Sequence, residues 1–428
     1  MLFVLFVLYV NSFVDRLVLT MLVAPIKADL GLSDVQVSII LGPAFAIFYA
    51  IFGLPLGWAA DRFSRRWVIY VGVTLWSVAA TASGLARSFV PLLLSRIFVG
   101  VGEASLTPAA YSLMGEKFPR RRLTTAMSIY QMGSQVGTAA AFAVGGVVIG
   151  FATSLHGIDW PLVGKLDAWQ LSLVMTGSPG IILALLVFTF TEPRRTGPAN
   201  SPSGGGKRKN IFAYLVSERE LLLPMTCGFV LIVLLVNSLL AWVPTYITRE
   251  FGLTPAEYGP ALGVITLVSG GTMVVKGWIV DWLYSRGMRD AHMRFFSWLV
   301  AAATPMAVGA FFVSSSLLFL VLFAVVQVMI AQFVVYVAAT VQLVAPKELR
   351  AQMVAYFISV FSLVGLGLGP VIAAALTDHV FKDEAMLGYS LAVMSAISLP
   401  LAWFSLRIAL DRVQPAIDRQ DQMAAAVA

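Results

Sequence analysis

The chain has 428 residues, of which 59% are hydrophobic and only 12% are charged. A soluble domain carries about a quarter charged residues, so this composition excludes a soluble globular protein. The mean hydropathy is +0.87, and the apolar stretches are continuous rather than alternating, which favours membrane-spanning helices over a β-barrel. The net charge of +7 lies mostly in loops on one predicted side of a membrane, so no nucleic-acid partner is expected.

Twelve apolar segments of about 20 residues follow one another along the chain, and they predict an all-α integral membrane protein. The first segment contains Asp15 and Arg16, which favours a membrane span over a cleavable signal peptide. The predicted spans, numbered 1 to 12, lie near residues 1–24, 36–58, 67–86, 91–113, 125–151, 169–190, 221–248, 259–281, 295–313, 316–343, 352–376 and 386–409.

A polar stretch between spans 6 and 7, TEPRRTGPANSPSGGGKRKN, is rich in Pro, Gly, Ser and basic residues. This composition predicts a flexible linker. The predicted organisation is an N-terminal six-helix bundle (1–190), a cytoplasmic linker (191–218), a C-terminal six-helix bundle (219–410) and a cytoplasmic tail (411–428).

Basic residues accumulate in the linker, the tail and the loops that follow even-numbered spans. These regions hold 21 of the 29 Lys and Arg residues, and the opposite loops hold five. The positive-inside rule therefore predicts that the N-terminus, the linker and the C-terminus are cytoplasmic. The short loops favour an inner or plasma membrane. The five basic residues on the opposite side are Lys27, Arg87, Lys165, Arg249 and Lys382.

Two similar segments follow spans 2 and 8, GWAADRFSRR at 57–66 and GWIVDWLYSR at 277–286. Their constant offset of 220 residues indicates two parallel repeats, which is typical of two-bundle secondary transporters. The paired residues are Gly57 and Gly277, Asp61 and Asp281, and Arg66 and Arg286.

The segment GWAADRFSRR resembles the loop 2–3 signature of the major facilitator superfamily, and RIFVGVGEA in span 4 resembles its Arg-x-x-x-Gly-x-Gly motif. SFVDRL in span 1 and GVGEASLTPAAYSLMGEKFP in span 4 resemble the spinster branch, whose animal members transport lysolipids and sphingosine phosphate. The resemblance implies twelve helices in two six-helix bundles that work by alternating access, and we expect a monomer.

The loop signature predicts a cytoplasmic gate. Asp61 would face the positive N-terminus of a neighbouring helix and pair with arginines such as Arg65 or Arg120, while Gly57 would permit close helix approach. For the arginines, ordinary positive-inside charge is the alternative. The predicted gating set is Gly57, Asp61, Arg62, Arg65, Arg66, Arg120, Gly277 and Asp281.

Four charged residues lie inside N-terminal spans, where each costs about 2.5 to 3.5 kcal/mol to insert. They are Asp15, Arg16, Arg96 and Glu103, and at an offset of 220 their counterparts are the uncharged Leu235, Val236, Ser316 and Phe323. Such asymmetry favours a function over a static ion network, which stays the alternative.

Helix geometry constrains these four residues. Arg96 and Glu103 lie on one helix face, about 10 Å apart along the axis, and Gly100 and Gly102 between them would let another helix come close. Asp15 and Arg16 point about 100° apart, so one faces a cavity and the other pairs across spans, for example Asp15 with Arg96. We expect Arg16 to bind an anion and Glu103 to take up a proton when Arg16 is unoccupied.

Four further polar residues are candidates for the cavity wall, and for Asn237 and Gln332 an interhelical hydrogen bond is the alternative. They are Tyr130, Gln131, Asn237 and Gln332.

The sequence thus predicts a proton-coupled secondary transporter of an amphiphilic anion of the lysolipid or sphingoid-phosphate class. A proton-linked carrier of small organic anions or drugs and a non-transporting lipid sensor are the alternatives. Membrane lipids, the substrate and protons are the expected partners. The sequence lacks GxxxxGK[ST], HExxH and GxSxG motifs, so neither an ATP-driven pump nor an enzyme is expected. One cysteine, Cys227, and three scattered histidines predict no metal and no cofactor.

Overall fold

The computed structural model describes residues 1–155, 159–160, 164–193, 211–346 and 349–425. Helices dominate this part of the chain, which confirms the all-α prediction. The helices before the linker are α1 Leu2–Leu17, α2 Val23–Leu30, α3 Asp34–Leu41, α4 Pro43–Arg62, α5 Arg65–Ser83, α6 Phe89–Glu103, α7 Leu106–Lys117, α8 Arg120–Ser154 and α9 Ala168–Ala184. Strands β1 Asp159–Trp160 and β2 Gly164–Lys165 form a small antiparallel pair between α8 and α9.

The second half of the chain is built in the same way, with short helices of other types at several span ends. Its α-helices are α10 Ile211–Ser217, α11 Arg219–Phe251, α12 Pro255–Ser285, α13 Ala291–Gly309, α14 Ser316–Ile330, α15 Phe333–Val344, α16 Arg350–Val360, α17 Gly367–Ala375 and α18 Leu387–Ala425. In the chain as a whole, the described 3₁₀ helices are Val18–Met21, Leu185–Thr189, Ala310–Phe312 and Glu384–Met386. The described π-helices are Phe361–Leu366 and Leu376–Phe381.

Eleven helical stretches in the described ranges are long and apolar enough to cross a membrane. They correspond to all the predicted spans except span 3. That segment folds as the 19-residue α5, which is less apolar because it begins with Arg65 and Arg66 and ends in small and polar residues. Helix α5 nonetheless packs along both α6 and α9, as a helix of the bundle does.

Contacts divide the chain into two compact units. The first comprises Met1–Ser203, Leu240–Leu267 and Pro370–Ala385, and the second comprises Gly204–Leu239, Val268–Gly369 and Met386–Ala428. The predicted bundles 1–190 and 219–410 stay a prediction. Residues 194–210 of the predicted linker lie outside the described residues, and α10 lies within its last part.

Spans 4 and 10 are each broken by two non-helical residues after 15 helical ones. The span 4 break is Ala104–Ser105, between α6 and α7, and the span 10 break is Ala331–Gln332, between α14 and α15. The flanking helices have equal lengths in the two halves, 15 and 12 residues. Broken membrane helices form binding sites in many transporters because they leave backbone groups unpaired.

The two breaks correspond at an offset of 227 residues, not 220. The chain between the repeated loop and the broken span is therefore seven residues longer in the second half. The span 4 counterparts named from the loop repeat are wrong: Arg96 corresponds to Phe323, and Glu103 to Ile330. Both counterparts are uncharged, so the asymmetry between the halves holds.

Glycines bring α6 close to its neighbours, as predicted. A Cβ on Gly100 would lie 2.7 Å from the carbonyl oxygen of Phe45 in α4. A Cβ on Gly102 would lie 2.7 Å from the carbonyl oxygen of Gly72 in α5. Only glycine permits such backbone proximity, and this packing fixes α6 and the acidic residue at its end.

Candidate functional site

Span 1 carries its two charged residues at the end of α1, where the α-helix gives way to the 3₁₀ turn Val18–Met21. Asp15 is 2% exposed. Its Oδ2 accepts a hydrogen bond of 2.9 Å from Nδ2 of Asn11, one helical turn earlier. Because Asp15 and Arg16 are adjacent, their side chains diverge, and Arg16 reaches a different helix.

Arg16 forms an ion pair with Glu103, the last residue of α6 before the span 4 break. The Glu103 side chain is 2% exposed and the Arg16 side chain 18% exposed. The Arg16 guanidinium also lies 4.2 Å from the ring centre of Phe45 and 4.9 Å from that of Phe13. The arginine is therefore held between one carboxylate and an aromatic wall.

Arg96 is 1% exposed and points at the end of α1. Its guanidinium makes long hydrogen bonds to the backbone carbonyl oxygens of Asp15, at 3.4 Å, and Arg16, at 3.5 Å. Carbonyls at a helix end lack helical donors, so Arg96 supplies them. Within the described residues, no ion pair joins the Asp15 and Arg96 side chains, unlike the pairing suggested from the sequence.

The four charged groups form one cluster, the N-terminal charge cluster, which comprises Asp15, Arg16, Arg96 and Glu103. Two carboxylates and two guanidinium groups give it a formal charge of zero. This balance offsets much of the cost of burying four charges. Any ion that enters the cluster alone disturbs the balance.

Tyr130 of α8 lies beside this cluster and is fully buried. Its ring stacks on that of Tyr9 with centres 4.4 Å apart. Its hydroxyl lies 3.2 Å from Oγ1 of Thr107, two residues past the span 4 break. Gln131, the next residue, is exposed. Its side chain hydrogen-bonds to Tyr111, whose ring centre lies 5.8 Å from that of Tyr130.

Gln332 lies at the span 10 break and joins a second polar group. Its Oε1 accepts a hydrogen bond of 2.8 Å from Nζ of Lys276, and its Nε2 donates one of 2.8 Å to Oγ of Ser269. Lys276 Nζ also donates to the carbonyl oxygen of Val328, at 2.7 Å. Asn237 is not brought into this group, because its Nδ2 donates to the Val233 carbonyl of its own helix.

Arg65, one of the predicted gating residues, is 1% exposed. Its Nε and its backbone N–H donate to Oε1 of Glu192 at 2.9 and 3.0 Å, and a terminal nitrogen donates to the Pro193 carbonyl at 2.8 Å. Burial raises the pKa of Glu192, but hydrogen bonds from Ser64 and Arg65 outweigh it and hold that pKa below its usual value. Arg65 thus ties α5 to the chain that follows span 6.

The remaining cations of the loop signature contact aromatic rings. The Arg62 guanidinium lies 4.5 Å from the ring centre of Trp58, and that of Arg66 lies 5.2 Å from the ring centre of Phe188. The side chains of Asp61 and Arg120 lie outside the described residues. A gating role for these residues stays a prediction.

The repeated loop residues are not packed tightly. A Cβ on Gly57 would meet Cβ of Pro108 at 3.7 Å, an ordinary contact, and one on Gly277 would meet no described atom within 4 Å. Asp281 is exposed. The close helix approach expected at Gly57 is found instead at Gly100 and Gly102.

A further ion cluster, the outer cluster, joins the chain after spans 1, 7 and 11. Arg249 donates to both carboxylate oxygens of Asp34 at 2.8 Å and to Oε2 of Glu384 at 2.9 Å. Lys27 pairs with the same two carboxylates, and the Asp34 side chain is 0% exposed. Sequence reasoning missed this cluster. A signal was present, because Lys27 and Arg249 are two of only five basic residues on that predicted side.

A multi-helix bundle with broken spans, and a buried ion pair at one of the breaks, is typical of secondary membrane transporters. Residues 1–370 match the model of the Major Facilitator Superfamily, and the chain belongs to that family. The protein is accordingly a multi-pass membrane transporter of the twelve-helix major facilitator fold.

Three known proteins are similar to most of the chain. An MFS-type efflux pump of Mycolicibacterium smegmatis is 27% identical over 391 residues, which cover 90% of this chain and 86% of that protein. The hexuronate transporter of Bacillus subtilis is 25% identical over 409 residues, 92% of each chain. A bacterial homologue of the human lysosomal transporter spinster, solved in an inward-facing and occupied conformation, aligns with a TM-score of 0.77 and 25% identity, covering 97% of this chain and 96% of that one. The resemblance to the spinster branch is thereby confirmed.

Proposed function

We propose that this transporter moves an organic anion together with a proton by alternating access. The observation that carries the proposal is the buried ion pair between Arg16 and Glu103 at the span 4 break. Burying an ionised pair costs free energy. This cost is explained if a substrate anion can replace Glu103 as the partner of Arg16. The anion and the proton then act on the two members of one pair.

Competition for Arg16 couples the two ligands. An anion that binds the guanidinium takes the place of the Glu103 carboxylate, whose side chain is 2% exposed. A carboxylate that loses its cation in low dielectric takes up a proton. Proton uptake therefore follows anion binding, whereas the sequence alone suggested that it accompanies an unoccupied Arg16.

Charge balance supports joint loading. The N-terminal charge cluster is formally neutral, and a monovalent anion alone would leave it with one uncompensated negative charge. A buried, uncompensated charge costs several kcal/mol. A proton that enters with the anion restores neutrality, so the jointly loaded form is favoured over either singly loaded one.

The surroundings of Arg16 favour an anion with an apolar body. The rings of Phe13, Phe45 and Tyr49 lie 4.2 to 5.9 Å from the guanidinium carbon. An acyl or sphingoid chain attached to a phosphate or carboxylate fits such a wall. The spinster likeness also supports the lysolipid or sphingoid-phosphate class.

A small, polar organic anion is the second candidate. The hexuronate transporter aligned above is similar along 92% of its length, and its named substrate is a carboxylate that an arginine binds well. Drug-like anions, which the sequence also suggested, belong to the same candidate class. A lipid sensor with the same fold would bind such anions without moving them.

The topology is part of the proposal. Basic residues favour a cytoplasmic N-terminus, linker and tail in an inner or plasma membrane. On that arrangement the loop signature with Asp61 forms the cytoplasmic gate, the outer cluster closes the opposite side, and the two repeats move as six-helix bundles.

The test is anion uptake into proteoliposomes with and without an inward proton gradient. The probes are lysophosphatidate for the amphiphilic class and D-glucuronate for the small class. The gradient should stimulate wild-type uptake of one of them, and Glu103→Gln should transport without responding to the gradient, because its amide cannot exchange a proton.

Glu257→Gln is the matched control, since Glu257 is an exposed glutamate at the start of α12. It should behave like the wild type. Unchanged gradient stimulation in Glu103→Gln would overturn the coupling role of Glu103. Binding of either probe without net uptake by the wild type would replace the transporter proposal with the sensor.

A further inference from the structure

A cavity of about 150 Å³ lies between α12, α13 and α15, apart from the N-terminal charge cluster. Its polar lining includes one cation, one amide, one imidazole and one phenol. These side chains belong to Lys276, Gln332, His292 and Tyr336, with the exposed Asp281 among the lining residues.

Lys276 is the feature that needs an explanation. It is 7% exposed, and its ammonium donates to two neutral acceptors, the Val328 carbonyl and Gln332 Oε1. Among the described residues, no carboxylate lies within 4 Å of Nζ to form an ion pair. An ammonium carries three donors, so one N–H has no acceptor among the described residues, and Asp281, the carboxylate in the cavity lining, forms no ion pair with it.

The span 10 break adds positive potential at the same place. The N-terminus of the 12-residue α15 begins at Phe333, and its N-cap residue, Gln332, makes no side-chain capping bond. The first amides of a helix carry a partial positive charge. The Gln332 side chain is turned toward Lys276 and Ser269 instead.

His292 provides an independent sign of a missing partner. Its Nδ1 is buried and has no hydrogen-bond partner among the described residues. Buried polar atoms are nearly always paired. A purely structural role for Lys276, as a cap on the Val328 carbonyl, accounts for one donor. It does not account for the unpartnered His292 nitrogen or for the adjoining cavity.

We propose that this cavity is a second anion-binding site, in which Lys276 binds a carboxylate or phosphate group. A water molecule takes about 30 Å³ of liquid volume, so the cavity holds a head group rather than an entire amphiphile. Gln332 orients the ammonium, and His292 supplies a further polar contact. The site exists whether or not Glu103 couples transport to protons, so it goes beyond the proposed function.

The anionic group has two possible sources, a soluble metabolite and a lipid head group. Calorimetric titration of the purified full-length protein separates them with three probes. Inorganic phosphate and D-glucuronate represent the soluble source, and lysophosphatidate represents the lipid source. Titrations in the Arg16→Ala background measure binding at the Lys276 cavity without binding at the anion site proposed at Arg16.

Lys276→Gln should weaken binding of the recognised probe by about tenfold, the loss of one charge-assisted hydrogen bond. Lys276→Arg should stay within about threefold because it keeps the charge. Lys165→Gln, which changes an exposed lysine, should match the parent. Equal binding by Lys276→Gln and its parent, or binding of none of the three probes by the parent, would overturn the proposal.

Restoring the charge chemically guards against misfolding of the Lys276→Gln variant. Cys227 is the only cysteine, so Lys276→Cys in a Cys227→Ser background carries a single thiol. Attachment of an aminoethyl group through a disulfide should recover most of the lost affinity, and attachment of a methyl group should not. Equal effects of the two reagents would contradict a role for the ammonium.

These measurements separate the two proposals. Loss of affinity in Lys276→Gln without any wild-type uptake would sustain the site and end the proposed transport. Proton-driven uptake by the wild type, with unchanged binding in Lys276→Gln, would end the site and sustain the transport.

Discussion

The breaks in spans 4 and 10 share a backbone design and differ in their chemistry. The first places the acid Glu103 against Arg16 in an ion pair. The second places the amide Gln332 against the lone cation Lys276. A pair can exchange its partner and pass on a proton, whereas a lone cation can only attract and hold an anion. On the two proposals made above, the first half couples transport to protons and the second half holds an anion.

The cavities beside the two repeated loops also differ in polarity. In the first half, a cavity of about 350 Å³ between α4, α5 and α6 is lined entirely by apolar or glycine residues. Leu56 lines it at the position that corresponds to Lys276 by the loop offset of 220. The leucine-to-lysine difference is one of several polar replacements, with His292, Gln332 and Tyr336, that distinguish the candidate anion site from the apolar cavity.

Removing the cation of the first break should have the largest effect. We expect Arg16→Ala to lower anion uptake at least about 100-fold, because it removes the anion contact and leaves Glu103 buried without a partner. Uptake into proteoliposomes measures this loss. Arg87→Ala, an exposed arginine of the same half, is the control, and a comparable loss in both variants would contradict a specific role for Arg16.

The outer cluster provides a reference ion network that is remote in sequence from both breaks. Arg249→Ala should lower the free energy of unfolding by on the order of 3 kcal/mol, because the fully buried Asp34 loses its bidentate partner. Thermal melting measures the change. Arg249→Lys should recover part of it, and Arg87→Ala should melt like the wild type. A wild-type melting temperature for Arg249→Ala would refute the stabilising role.

Two glycines compare the tight packing at the first break with the open surroundings of the repeated loop. Gly102→Ala should destabilise the protein by about 2 kcal/mol, because the new Cβ would lie 2.7 Å from backbone atoms of Gly72 and Trp76 and such overpacking forces the helices apart. The new Cβ of Gly277→Ala meets no atom of the described residues within 4 Å, so this substitution should be neutral or slightly stabilising in melting experiments. Equal effects of the two substitutions would remove this distinction.

Giving the second break a carboxylate should make it resemble the first. Gln332→Glu places an anionic oxygen at the position that now lies 2.8 Å from Lys276 Nζ. We expect anion binding at that cavity to weaken by about tenfold, with the melting temperature maintained by the new ion pair. Undiminished binding in the calorimeter would show that Lys276 is not the contact.

The fold follows from the sequence because the hydropathy of each segment is a local signal. The repeat at an offset of 220 residues is found by comparing the two halves of the sequence directly. Continuous apolar segments predict the spans. Only α5 is not apolar enough to count as a membrane span by hydropathy, because it begins with Arg65 and Arg66.

The break at Ala104–Ser105 carries a local signal, because Pro108 cannot donate to the carbonyl of Ala104 four residues earlier. No proline or glycine lies near Ala331–Gln332, so nothing local marks the break in span 10. The longer chain before span 10 likewise hides the true counterparts of Arg96 and Glu103.

The site was predictable in its members but not in its pairings. Asp15, Arg96 and Glu103 are buried, as charged residues in apolar spans suggest. Which of them pair depends on how α1 and α6 are oriented, and the position of α6 is set by contacts between residues far apart in sequence, such as Gly100 on Phe45 of α4. Lys276 lies near the end of predicted span 8 (259–281), and that position does not reveal its contact with Gln332 at the span 10 break.

The zero formal charge of the N-terminal charge cluster has an energetic consequence for the whole cell. A moving unit that carries one elementary charge across a membrane exchanges about 2.3 kcal/mol with each 100 mV of potential. With one proton per monovalent anion, the loaded cluster carries no net charge, and neither does the empty one. Transport would then draw on the concentration and pH gradients and be indifferent to membrane voltage.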